Sequence, residues 1–132
     1  MASRPSNPGH SIDIPLVDHR RRRMVIGECW NTFGNLGAAV RSSDRKLVEA
    51  AELMAARTGQ QYEVGLVWIV RDSRANRGVV DRYEHIFRAR FPGSSAAWLK
   101  ALTVPGAALP PERGIVWSDV RATRLFARRR RR

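Results

Sequence analysis

The chain has one cysteine, Cys29, and only two lysines, Lys46 and Lys100. A lone cysteine excludes a disulfide framework, so the core must hold by packing, and a reducing, cytoplasmic setting is expected. Long apolar runs are also lacking. The best, VGLVWIV (Val64 to Val70), is far too short to span a bilayer, so no membrane segment is expected. The opening MASRPSNPGH has no apolar stretch of the kind a secretory signal needs. Histidine is sparse, and His10, His19 and His85 have no metal-ligand spacing with one another or with Cys29, which argues against a zinc site.

Arginine is abundant. The formal charge is +12, and the runs Arg20–Arg23 and Arg128–Arg132 carry nine of the positive charges, leaving +3 for the rest. An Arg-for-Lys, Ala-rich bias arises from GC-rich coding without selection. Clustering of the excess is what points to a polyanion, with DNA the expected partner. Apolar residues at 43% and four tryptophans mark a folded body, and 132 residues suffice for one modest core. We divide the chain into a lead-in over 1–10, one domain over 11–126, and a basic tail over 127–132.

The segment SIDIPLV (Ser11 to Val17) reads as a strand, and Pro15 assigns it to an edge or an irregularity because proline cannot donate to a ladder. DHRRRR is then a turn, and RMVIGECW (Arg23 to Trp30) the returning strand. Period two puts Ile26, Glu28 and Trp30 on one face and Val25, Gly27 and Cys29 on the other. A helix is expected from about Leu36 to Arg57, with Leu36, Val40, Leu47, Ala51 and Met54 as its apolar stripe and Gly59 as its stop. YEVGLVWIV (Tyr62 to Val70) reads as a strand buried on both faces. RDSRANRG is expected to be a polar connection into a helix near Val79–Phe91. A short helix over Ala96–Thr103, capped by Ser94 or Ser95, and a strand over Ile115–Val120 follow, and RATRLFARRRRR allows one more short strand. The order β-β-α-β-α-α-β implies an α/β (α+β) domain with a mixed central sheet flanked by helices. The four tryptophans are expected as core anchors, with base stacking the alternative for Trp30. Cys29 reads as a small core hydrophobe.

Asp13 and Glu28 stand out. Paired around the arginine turn, the two carboxylates would share a neighbourhood suited to Mg²⁺, which takes one or two carboxylates plus water and phosphate oxygens. Solvated strand acids paired with nearby arginines are the plainer alternative. IDIPLVD…MVIGECWNT followed by a long Ala-rich helix resembles the core of the PD-(D/E)XK, restriction-endonuclease-like nuclease superfamily, over about Ile12 to Val70. The resemblance implies a Mg²⁺-dependent phosphodiesterase on DNA, with Asp13 and Glu28 as metal ligands. It also implies that the opening helix and strand of that core are missing or reduced, leaving an edge that invites a homodimer. Trp30 stands where the superfamily has its lysine and can neither activate water nor balance phosphate charge. The resemblance offers Lys46, on the following helix, as a migrated catalytic lysine, with Arg45 beside it as a phosphate ligand. VWIVRDSRANRGVVDRYEHIFRARFPGSSAAWLKALT with GIVWSDVRATRLFARR is similar to the C-terminal region of some actinobacterial helix-turn-helix regulators, implying a link to transcription regulation.

Two readings therefore stand. One is a nuclease with Asp13, Glu28 and Lys46 at its centre and Arg20, Arg21, Arg22, Arg23, Arg45, Arg128, Arg129 and Arg130 on nucleic acid. The other is a non-catalytic DNA-binding or regulatory domain on the same fold, which Trp30 favours. A protein–protein module that presents its arginines to acidic partners or RNA is a third.

Overall fold

The computed structural model describes residues 9–121 and 123–128. Arg129, Arg130 and the end of the expected tail lie outside them, as do the first eight residues of the lead-in. The chain runs β1 (Gly9–Asp18), β2 (Arg23–Phe33), α1 (Leu36–Thr58), β3 (Glu63–Arg71), α2 (Arg74–Arg82), α3 (Glu84–Arg90), α4 (Ser95–Thr103), β4 (Gly114–Ser118) and β5 (Leu125–Phe126). This is an α+β domain. The five strands form one mixed sheet in sequential order, with β2, β3 and β4 parallel and the outer pairs β1–β2 and β4–β5 antiparallel.

β1 is an edge strand, as Pro15 requires, and the irregularity in its pairing falls at His10/Ser11 rather than at the proline. On β2 the alternation is as expected: Met24, Ile26, Glu28 and Trp30 are buried on one face. Against that face lie α1 and the α2–α3 pair, which bring Val40, Met54, Val80, Phe87 and Phe91 to Leu66, Trp68 and Trp117. The opposite face is covered by α4, whose Trp98 packs on Val67 and Val116. β3 is therefore buried on both sides. Gly65 and Gly114 make room for the Trp98 ring, since a side chain at either position would run into it. The Trp98 indole N–H donates to the Glu112 carbonyl at 2.8 Å.

Three expectations need correction. RDSRANRG is mostly helix, because Ser73 accepts from the Asn76 N–H as an N-cap. Asn76 is buried and its side-chain amide donates to the carbonyls of Asn31 and Arg71, tying α2 to the ends of β2 and β3. The helix expected over Val79–Phe91 is thus the end of α2 and all of α3, divided at Tyr83, where φ −109° and ψ 34° leave the helical region. On α1 the buried stripe uses Ala50 and not Ala51; Ala39, Ser43 and Ala50 face the sheet, and their small side chains bring the helix close above Glu28. Trp30 is 2% exposed, stacked on Phe33 at 5.3 Å and against Trp68 at 5.2 Å, so it offers no platform for a base. The tryptophans are core anchors.

Candidate functional site

Asp13 and Glu28 are directly opposite across the β1–β2 ladder. Side chains of opposed residues leave the sheet on the same face, so both carboxylates lie on the side that α1 covers. Glu28 is inside the molecule, 0% exposed, whereas the Asp13 side chain is 44% exposed at the open edge. The pair therefore has a dry inner member and a wet outer one.

α1 completes the cluster. Lys46 Nζ is 3.0 Å from each Asp13 carboxylate oxygen and 3.7 Å from Glu28 Oε2. One ammonium thus contacts both acids. Three positions before Lys46, the buried Ser43 hydroxyl donates to Glu28 Oε1 at 2.8 Å and accepts from the Trp68 indole N–H at 2.9 Å. The chain Trp68–Ser43–Glu28 fixes one carboxylate oxygen. The other, Oε2, is buried and has no hydrogen-bond partner. It is aimed at the space that Lys46 shares with Asp13.

Burial pushes the Glu28 carboxyl above its ordinary value; the Ser43 hydrogen bond and the Lys46 charge oppose this, and the Asp13 charge adds to it. A raised carboxyl pKa in the folded state makes stability greatest at or below the ordinary value near 4.5 and lowers it as pH climbs through the raised value. Glu28→Gln keeps an acceptor for Ser43 and removes the ionisation. The variant is expected to match the wild type in acid and to become the more stable of the two as pH rises to neutrality. Thermal melts across that range check this. A wild type that stays the more stable at neutral pH would mean the buried charge is already fully compensated.

The remaining expected residues divide. Arg45 is exposed on α1 beside Lys46. Of the arginine turn, Arg21 is held by Asp18 through its backbone N–H and its guanidinium, and Arg23 contacts Glu63 and donates to the Ala107 carbonyl. Arg128 lies 5.2 Å over the Trp117 ring and 3.8 Å from Asp81, so it is engaged within the fold rather than held out for phosphate. Cys29 is half-buried and not a core residue. It lines an open groove of about 700 Å³ with Ile12, Ile14 and Ile69, and burial pushes its thiol up, away from nucleophilic use. Ser43 was not singled out from the sequence. Its only early signal was a hydroxyl on the helix face that must meet Glu28.

Among the described residues no group of three or more His, Cys, Asp or Glu side chains is placed to hold a metal ion. The two carboxylates fit Mg²⁺ as a partial set, with hard oxygens, one buried oxygen that accepts no hydrogen bond and meets the Lys46 ammonium at 3.7 Å, and an exposed outer member at Asp13. Among the described residues no helix is long and apolar enough to cross a membrane. Comparison of the chain with protein-family models, with curated proteins and with solved structures found no match in any of the three.

Proposed function

We propose that Asp13, Glu28 and Lys46 form a divalent-metal-dependent phosphodiesterase site acting on DNA, on a restriction-endonuclease-like core. The observation that carries this reading is the arrival of Lys46 at both carboxylates from a different element. Acid pairs on hairpins are common, but a buried acid, an exposed acid and a shared lysine are the set that phosphodiester hydrolysis needs. Asp13 and Glu28 would hold Mg²⁺, which when bound supplies an activated water and neutralises charge on the scissile phosphate. Lys46 offers an ammonium that can orient that water or meet the phosphate, work that Trp30 cannot do. Ser43 holds the Glu28 carboxylate in place, and the burial of Glu28 keeps bulk water from its inner side.

Two measurements test the proposal. Mg²⁺ or Mn²⁺ should raise the melting temperature of the wild type and leave Asp13→Asn unmoved. The wild type should nick supercoiled plasmid, with Glu28→Ala and Lys46→Met inactive. Equal nicking by all three proteins, or none by the wild type, would remove the nuclease claim.

One observation favours a second reading, a non-catalytic DNA-binding or regulatory domain. Lys46 already spans the two acids and so occupies the position a cation would take. That reading expects no metal-dependent shift, and a Lys46→Met protein destabilised equally with and without Mg²⁺.

A further inference from the structure

The turn joining β1 to β2 and the first residue of β2 supply four consecutive arginines, and the fold uses them in two different ways. Arg21 is tied to Asp18, with its Nη1 2.9 Å from the carboxylate, and Arg23 is tied to Glu63, with its Nε at 3.2 Å. These two pairings consume the acids next to the turn. Arg20 and Arg22 are exposed, and among the described residues neither has a hydrogen-bond or ion-pair partner for its side chain. The tip therefore carries two uncompensated guanidinium groups on a base neutralised by the other two.

Arg22 adds an independent observation. Its φ is 53°, making it the one non-glycine residue among those described with a positive φ. That left-handed conformation lets its carbonyl accept from the Glu63 N–H at 2.9 Å, which starts the β2–β3 pairing. Glycine or asparagine would meet this backbone demand with less strain. An arginine held there retains a strained conformation while presenting a free cation, a combination expected where the side chain serves binding.

We infer that Arg20 and Arg22 form a second phosphate contact of the same DNA-binding surface, set apart from the scissile position by the length of the hairpin. Asp13 and Asp18 are five residues apart on β1, about 17 Å at strand rise. That length corresponds to about five base pairs along a duplex. The two guanidinium groups would grip the backbone there, while Arg21 and Arg23 brace the turn. This rests on the nucleic-acid reading of the Asp13–Glu28–Lys46 site and adds the extent of duplex that the protein must cover.

The test is salt-dependent binding of a labelled duplex of about 30 base pairs in EDTA, so that neither metal nor cleavage enters. Arg20→Gln with Arg22→Gln should reduce the slope of log affinity against log salt by about two and weaken binding about tenfold at moderate salt. Arg21→Gln with Arg23→Gln should lower the melting temperature and leave the slope as it was. Arg22→Gly separates the roles, because it removes the cation and the strain together: affinity should fall while thermal stability holds or rises. An unchanged slope in the first variant, an equal fall in both double variants, or full affinity in Arg22→Gly would overturn the inference. Polyglutamate bound as tightly as the duplex would overturn it too, marking a surface for acidic proteins. Failure of the wild type to bind the duplex also overturns it, and leaves the metal-dependent melting shift as a separate measure of the acidic site.

Discussion

Placing lysine at Trp30, the position two residues after Glu28, is expected to unfold the protein rather than build a nuclease motif. The Trp30 ring is stacked on Phe33 and tilted against Trp68, and Trp68 in turn contacts Phe87 and Phe91. Removing a buried aromatic of this size costs about 3–5 kcal/mol. The substitution would also bury an ammonium among aromatic rings, adding a desolvation penalty that the site cannot offset. The total is comparable with the whole stability of an ordinary domain, about 5–15 kcal/mol. Circular dichroism should show either no cooperative melt or a melting temperature lower by about 15 °C or more. A Trp30→Lys protein that melts like the wild type would refute the aromatic packing described here. Trp30 and Glu28 share a face of β2, but at Trp30 that face is closed by rings, whereas Lys46 reaches the acids from α1 with its side chain 28% exposed. The lysine reaches both acids from the helix, with its ammonium at the open edge where Asp13 lies.

Ser43→Ala has the second largest expected effect. The substitution removes a single oxygen yet strips two buried groups of their partner, the Trp68 indole N–H and Glu28 Oε1. An orphaned buried polar group costs about 1–3 kcal/mol, so the loss should be roughly 2–4 kcal/mol. Urea denaturation gives that number directly. Glu28 would also lose the hydrogen bond that most opposes its burial, so its pKa should rise further. Combining Ser43→Ala with Glu28→Gln should therefore cost less than the sum of the two changes, because the neutral amide tolerates the loss of Ser43 better than the carboxylate does. A loss under about 1 kcal/mol for Ser43→Ala alone would mean that water reaches the gap and replaces the hydroxyl.

Two other groups raise the energy of the folded state. Glu28 is buried with one oxygen that lacks a hydrogen bond and meets the Lys46 ammonium at 3.7 Å, and Arg22 is held at positive φ. Neither arrangement is what packing alone would select. Functional constellations are commonly retained at a cost in stability, so under the proposed function Glu28→Gln and Arg22→Gly are expected to keep or improve stability while impairing binding or catalysis.

Much of the fold was legible in the order of residue types. Period two in RMVIGECW put Ile26, Glu28 and Trp30 on one face, and the arginine turn placed Asp13 and Glu28 on neighbouring strands, which the register sets directly opposite. The continuous apolar run at β3 predicted burial on both faces, and Pro15 predicted an edge. These are consequences of local stereochemistry, which a short window of sequence contains. The start of α2 was missed because Gly78 and three arginines look like a loop; the Ser73 cap was the available sign, and Gly78 sits in open space where no packing penalises it.

What the sequence determined alone was therefore the alternation of faces, the hairpin with an acid on each strand, and the long helix that follows it. The tertiary structure decided the rest. Whether Lys46 meets Asp13 and Glu28 depends on how α1 rolls on the sheet, and that roll is set by Ala39, Ser43 and Ala50 packing against strands remote in sequence. Which arginines of the turn stay free depends on Asp18, Glu63 and Ala107 arriving at two of them. Such choices follow from contacts between distant segments, and no local pattern contains them.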